Sequence, residues 1–580
     1  MSFFAGAFSL DRNKPLSPQL CADLRSHISR HPGEPIAQVD SGAFFLLKGD
    51  VGAFAAPALL QDAAGNVDAV AGEPLLREGE SAPDWNRARD LALLQRQLGA
   101  SNWDALAQSR GTFCGVHYER ERHLLLLFVD KVGVRPLYVW HDEHVVVFST
   151  ALRVLEALPQ VDKTFDVRGV TEIAAFGYPL GTRTGYSGIR MLAGAEVTRC
   201  LDGAVSHHNY WDWQAGSLED GGAQAVEQCH GAFMDALRRR QRGSPSATCF
   251  LSGGLDSRAI VGGLALIVGE LHTVNFAPDH TQDQVFATLV AEKLNTRHAQ
   301  LVTNADNIDQ GYRKATLTRW LTERFGAGSA ALIWSGDGGS VALGHVYLSR
   351  PIVEAMRRGD RREAVGLFNN GLPSGVVRPA MREALTALSF QGAEEELAAI
   401  ASADPGRAFH LFLLQNDQRR HLAQHFENLD SERIEFQLPF FDADFLATIL
   451  RHPCEPYLQH RFYIDWLRAF PNGLATLPWQ AYPGHVPCDV AAPAGLKYQW
   501  EDYFDSATVR QMRRNAAARG KRVLGSRSFP RHLISRNALR AAVWMTRLGV
   551  RDYGYLINTA YVYDKYWSMC DGGAGRTPGP

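Results

Sequence analysis

Thr248-Cys-Phe-Leu-Ser-Gly-Gly-Leu-Asp-Ser257 is an apolar run that stops on two glycines and restarts with Asp-Ser. Its pattern predicts a strand over Thr248–Leu251, a tight turn, and a helix starting near Asp256. A helix N-terminus carries unsatisfied N–H groups and a partial positive charge, so this geometry suits a phosphate. Gly253 and Gly254 would let the backbone approach the anion without a Cβ in the way. Ser252 and Ser257 add hydroxyl donors, and Asp256 is placed to hold Mg²⁺ between phosphates. The expected anion loop therefore comprises Leu251, Ser252, Gly253, Gly254, Leu255, Asp256 and Ser257. An ordinary helix cap has the same local chemistry, and the loop taken alone leaves the two readings level. The GxxxxGK[ST] pattern of a Walker loop is absent.

Outward from this loop, strand and helix alternate. Val226–Arg242 reads as a helix, His272–Phe276 as a strand and Val285–Leu294 as a helix. That spacing predicts a parallel α/β sheet. From about Arg358 to Leu467 the pattern becomes mainly helical. The first 213 residues read differently: short apolar runs (Ala43–Leu47, His123–Val129, Val145–Ser149) predict β structure, with one helix-like segment at Trp85–Leu98. The small, polar stretch 214–223 marks a boundary. The expected domains are therefore 1–213 and 224–569, with 571–580 as a disordered tail.

With 580 residues, 46% of them hydrophobic, the chain has material for several buried cores. Lys+Arg 60 against Asp+Glu 62 gives a net charge of -2, which disfavours a nucleic-acid partner. The eight cysteines form no CxxC pair, which argues against a zinc site or a disulfide scaffold. No apolar run approaches the roughly 20 residues of a membrane span, so a cytoplasmic location is expected. One stretch departs from the neutral average: Arg510 to Arg540 holds ten Lys/Arg and no Asp/Glu. It reads either as a contact surface for phosphate or acidic peptide, or as a solvated helical face.

The SGGLDS string resembles the pyrophosphate loop of the N-type ATP pyrophosphatases. By that resemblance Val274-Asn-Phe-Ala277 is the second strand, whose backbone reads adenine, and Asp283 follows it. Trp334-Ser-Gly-Asp-Gly-Gly-Ser340 is a second glycine turn, bringing Ser335, Gly336 and the carboxylate of Asp337. Glu435-Phe-Gln-Leu-Pro-Phe-Phe-Asp442 is similar to the E-x-R-x-P-F-L-D segment of asparagine synthetases, with Gln437 in place of the arginine. Val129-Asp-Lys-Val-Gly-Val-Arg-Pro-Leu-Tyr138 is similar to a segment of glutamine amidotransferase domains. The implied fold class is α/β: a glutaminase-like αββα domain of the N-terminal-nucleophile type, then a larger ATP-pyrophosphatase domain with a helical C-terminal part.

The chain also departs from that family. Glutaminase chemistry needs a thiol beside its own α-amine, and position 2 is Ser2; the N-G-E-I-Y-N grip for glutamine is replaced by Ala71-Gly-Glu-Pro-Leu-Leu76. The first domain is therefore expected to be inactive, so the amine must come from the substrate. Gly336 to Tyr347, His460-Arg-Phe-Tyr463 and Pro478 to Cys488 resemble the lasso-peptide cyclases. The resemblance implies ATP and Mg²⁺, an acyl-adenylate, and macrolactam closure between a precursor peptide's N-terminal amine and an Asp or Glu side chain. It also implies a leader peptidase and a precursor-recognition protein as partners. Asp256 and Asp337 are the expected metal ligands, with Asp337 and Glu435 as candidates for proton removal. Ser340 stands where synthetases carry a metal-binding Asp, and Arg419, Arg420, Arg461 or Lys497 would replace their lysine. The Pro478–Cys488 loop is either core packing or a wall of the peptide pocket. Alternatives are glutamine-dependent asparagine synthesis, β-lactam-type cyclisation, a non-catalytic nucleotide-binding scaffold and an RNA-modifying pyrophosphatase.

Overall fold

Two six-stranded antiparallel sheets build the first region. One runs in the order Ile189–Met191, Tyr138–His141, Val145–Ser149, Ser2–Ser9, Phe44–Asp50, Ile36–Asp40. The other runs Ala204–Asn209, Glu196–Leu201, Leu124–Val129, Phe113–Glu119, Val67–Gly72, Leu59–Gln61. This computed structural model describes residues 2–54, 57–76, 86–213, 224–307, 312–326, 330–402, 404–501 and 503–570. The boundary stretch 214–223 and the tail 571–580 lie outside the described residues.

The sheets face each other across Phe4, Phe8, Phe44, Leu127, Val146 and Phe148, all buried. Fully apolar strands such as Leu124–Val129 are explained by this arrangement, because both faces are covered. The helix Arg87–Gly99 covers the outer face of the second sheet through Leu91, Leu94 and Leu98. The result is the four-layer αββα arrangement that the sequence implied.

The second region carries a five-stranded parallel sheet in the order Arg297–Val302, Glu270–Ala277, Ser246–Phe250, Ala331–Trp334, Ile434–Gln437. Its helices follow the periodicity: Gln224–Gln241, Asp256–Leu264 and Gln282–Lys293. The last starts earlier than its apolar pattern suggests, because the Thr281 hydroxyl caps it by accepting from Gln284 N–H at 3.2 Å. A mainly helical stretch follows, interrupted by the edge strand Ile434–Gln437.

The C-terminal helices Ser506–Gly525, Arg536–Leu548 and Gly554–Met569 contribute, among the described residues, to a core apart from that of the parallel sheet. They share a core with the first region, where Val543, Ile557, Ala560 and Tyr563 meet Leu155, Val170 and Ala174. The chain thus returns after the second region to form an outer layer of the first. Their apolar stripes needed a partner surface, and the helix Val167–Phe176 supplied one.

Candidate active site

A cavity of about 600 Å³ opens at the carboxyl ends of the parallel strands, where ligands sit in open α/β sheets. The turn after Phe250 forms one wall. Ser257 Oγ accepts from Ser252 N–H at 2.9 Å, and Ser252 Oγ accepts from Gly254 N–H at 3.3 Å. The two serine hydroxyls lie 3.0 Å apart, so they brace the turn. The paired glycines have different reasons. A Cβ on Gly253 would lie 2.8 Å from the Asp283 backbone, whereas one on Gly254 would meet only Ser252 Oγ at 3.5 Å. Gly253 therefore serves close packing against the next helix, and its N–H donates to Asp283 Oδ1 at 2.5 Å. Approach to an anion is left to Gly254, Leu255 and the helix N-terminus behind them.

The second loop presses against the first. A Cβ on Gly336 would come within 2.7 Å of Ser257 N, and one on Gly339 within 2.7 Å of the Asp256 carboxyl carbon. This contact brings Asp256 and Asp337 to the same cavity. Asp256 heads the helix Asp256–Leu264; Tyr463 OH donates to its Oδ1 at 2.7 Å and Ser340 Oγ to its Oδ2 at 2.8 Å. Burial lifts its carboxyl to about 6, against the pull of these two hydroxyls, and Asp337 adds like-charge repulsion. Asp337 is exposed toward the cavity and accepts from Ser335 Oγ at 2.5 Å.

Val274 lines the cavity, but its carbonyl accepts from Leu251 N–H at 2.9 Å and so is committed to the sheet. Leu251, Ser335 and Gly336 also line it. Glu435 does not. It is fully buried and held in a two-pronged ion pair by Arg135, whose second nitrogen lies 3.2 Å from Oε2. The neighbouring Gln437 reaches Glu73 at 2.8 Å, inside the segment that replaces the glutamine grip. Both side chains fasten the two regions together, which explains their place in the Glu435–Asp442 segment.

The four basic candidates also lie elsewhere. Arg419 donates to the carbonyls of Gly133 at 3.0 Å and Gly181 at 3.2 Å, and Arg420 to that of Arg183 at 2.9 Å, all in the first region. Arg461 binds Gln459 at 3.0 Å. Lys497 bridges to Thr281 through its backbone. Among the described lining residues the charged groups are the carboxylates Asp256, Asp283 and Asp337.

The Pro478–Cys488 loop is a wall of this cavity, contributing Trp479, Gln480, Ala481, Tyr482 and Val486. It is pinned from below by the buried Arg258, which donates to the carbonyls of Leu477 at 3.0 Å and Pro478 at 2.6 Å. Tyr347, Trp500 and Tyr503 continue the wall. His460 also lines it; its Nδ1 lies 2.7 Å from His485 Nδ1 and its Nε2 3.5 Å from Ser340 Oγ. Burial, reinforced by His485, depresses His460 to about 3, so it is neutral near pH 7. Sequence reasoning gave His460 and Tyr463 no role in the site. Only their shared short motif hinted at one, since they meet Ser340 and Asp256 through tertiary contact.

The site is thus a strand–glycine turn–helix loop facing a second glycine turn with a carboxylate, carried by the second region behind the αββα region. Residues 85–211 match the glutamine amidotransferase domain family and residues 228–334 the asparagine synthase family. Over these stretches the chain is similar to the two domain types of asparagine synthetases. Asparagine synthetase [glutamine-hydrolyzing] 3 of Bacillus subtilis (strain 168) is 26% identical over 198 residues, 34% of this chain and 32% of that protein. Putative asparagine synthetase [glutamine-hydrolyzing] 2 of Methanocaldococcus jannaschii is 21% identical over 216 residues, 36% of this chain and 42% of that protein. The matches thus span under half the length of these curated relatives. Among solved structures, glutamine phosphoribosylpyrophosphate amidotransferase from B. subtilis, complexed with ADP and GMP, aligns with 52% of this chain and 82% of its own, at 10% identity and a TM-score of 0.24. No helix among the described residues is long and apolar enough to cross a membrane.

Proposed function

We propose that this chain joins a carboxylate to an amine at the expense of ATP, releasing AMP and pyrophosphate, and that its substrate is a peptide closed into a macrolactam. The observation that carries this reading is the asymmetry of the cavity. One wall is glycine loops with N–H groups and three carboxylates; the other is Trp479, Tyr482, Val486, Trp500 and Tyr503. Aromatic and aliphatic walls suit the side chains of a peptide. Free aspartate carries two carboxylates, and the charged side chains described here are themselves carboxylates.

A carboxylate oxygen is a poor leaving group. Attack of the substrate carboxylate on the α-phosphorus of ATP forms an acyl–phosphate bond and breaks the bond to pyrophosphate. The peptide's N-terminal nitrogen then attacks the acyl carbon, AMP departs, and the ammonium proton goes to water. Asp256 and Asp337 offer hard oxygen donors whose mutual repulsion a cation would relieve, so they fit Mg²⁺. Mg²⁺ bound there would neutralise charge on the phosphates. Tyr463 and Ser340 fix the Asp256 carboxylate, while Leu255 and the helix start supply N–H donors. The aromatic wall excludes water and holds the tethered amine near the acyl group, where orientation contributes several kcal/mol.

The first region is read as a scaffold with no glutaminase reaction. Of its buried arginines, Arg87 pairs with Asp50 at 2.6 Å and Arg135 with Glu435 of the second region. A second reading, amidation of aspartate, is favoured by the names of the relatives in the two alignments. One experiment separates them. Incubation with ATP, Mg²⁺ and a candidate precursor peptide should yield AMP and a product lighter by one water. AMP formed only with aspartate plus glutamine or ammonia would favour the second reading. ADP with orthophosphate would overturn both.

A further inference from the structure

Among the described residues, every large hydrophobic side chain more than half exposed lies in one short stretch: Trp544 at 61%, Leu548 at 57%, Val550 at 69% and Tyr555 at 53%. Trp544 and Leu548 are one helical turn apart on the helix Arg536–Leu548, whose other face is buried through Leu539, Ala542, Val543 and Thr546. Val550 stands on the turn that follows, and Tyr555 opens the next helix. The four side chains therefore sit on the outer surface, and no described residue covers them.

The polar residues between them are not a random mixture. Arg540 and Arg547 share the helix face with Trp544 and Leu548, and Arg551 lies over the Tyr553 ring at 5.4 Å. Asp552, the only carboxylate from Trp544 to Tyr555, faces Arg513 of the adjacent helix at 4.0 Å. Arg513 belongs to the basic run Arg510–Arg540, so this run adds positive charge beside the apolar cluster. The whole chain has a net charge of -2, so the positive charge is local. Contiguous exposed apolar side chains rimmed by charge mark an interaction surface.

We propose that the outer face of the helix Arg536–Leu548 and its following turn form a docking surface for an anionic lipid bilayer. The charge complementarity is direct: arginines meet lipid phosphates, while Trp544, Leu548 and Val550 enter the headgroup–acyl boundary. A tryptophan–arginine surface that projects outward suits a deformable interface. The surface lies outside the cavity, so attachment leaves the catalytic groups in place. This proposal is independent of the reaction assigned to the cavity.

The test is flotation of the full chain with vesicles made of equal parts phosphatidylglycerol and phosphatidylcholine, beside vesicles of phosphatidylcholine alone. Binding is expected to the anionic vesicles only, and to fall about tenfold when salt rises from about 0.05 to 0.5 M. Trp544→Ala with Leu548→Ala should weaken binding about tenfold, and Arg547→Glu with Arg551→Glu should abolish it. Leu367→Ala, exposed elsewhere at 48%, should leave it unchanged. Circular dichroism would check that each variant is folded. Absence of binding to anionic vesicles overturns the proposal, as does binding that both double variants retain. A concentration-dependent dimer that Trp544→Ala dissolves, without vesicle binding, would assign the face to a second copy and equally overturn it.

Discussion

Two loops in this molecule gather backbone N–H groups, and they finish differently. In the first region, Asp130 accepts from Val132, Gly133 and Val134 at 3.0, 2.8 and 3.2 Å, and from Phe113 and Arg135 at 3.1 and 3.3 Å. Its carboxylate is buried, so that nest contains its own anion. In the second region, the loop Ser252–Ser257 gives one N–H to Asp283 and those of Ser252 and Gly254 to its own serine hydroxyls, and its remaining edge lines the cavity. The same backbone chemistry is structural where the chain supplies the carboxylate and available for a ligand where it does not.

The comparison breaks most severely at Asp130. Asp130→Ala should cost about 5 kcal/mol in denaturant unfolding, because the buried N–H groups of Phe113, Val132, Val134 and Arg135 lose their carboxylate acceptor, while that of Gly133 keeps the Asp130 carbonyl at 2.9 Å. Glu435→Ala comes next, at about 3–5 kcal/mol, since it strands Arg135 in the interior. The folded fraction of that variant should retain its turnover number, which a role in proton removal would forbid. Asp256→Asn should act the other way round. It should lower AMP formation about 10²–10³-fold, with stability within about 1 kcal/mol.

A subtler test lies in Lys48, buried in the first region with its ammonium donating to the Gly49 carbonyl at 2.9 Å. Burial lowers it to about 7. The unfolded chain then binds more protons than the folded one from about pH 7 to about 10.4, so stability rises with pH across that window. Lys48→Met should remove the slope and add about 4 kcal/mol at pH 7, read from urea unfolding at several pH values. The smallest contrast is between the glycines. Gly253→Ala should destabilise by about 1–3 kcal/mol through collision with the Asp283 backbone. Gly254→Ala should leave stability within about 0.5 kcal/mol while raising the KM for ATP, because only the second Cβ faces the ligand space.

Much of the architecture was legible. Periodicity located Val145–Ser149 to the residue and the few other strands it singled out within about three, because a strand buried on both faces reads as an apolar run. The helix at 282 began earlier than its pattern because a hydroxyl cap, and no apolar residue, sets its start. In the site, Asp256, Asp337 and the serines converge on one cavity, and the Pro478–Cys488 loop resolves into its wall. The role of Glu435 was not legible, since its partner Arg135 is 300 residues away. Arg419 and Arg420 resemble phosphate ligands in sequence, yet their donors are consumed by carbonyls of another region.

The sequence by itself determined the strand–turn–helix unit at Ser252–Ser257, the parallel sheet around it and the change of character near residue 213. These follow from local rules: apolar period, glycine turns and the free N–H groups of a helix start act over a few residues. Only the tertiary structure decided which carboxylates face the cavity, which glycine is needed for packing, and that the C-terminal helices cover the first region. Those outcomes depend on pairings between residues hundreds of positions apart, where burial and geometry choose the partner and spacing along the chain carries no trace of the choice.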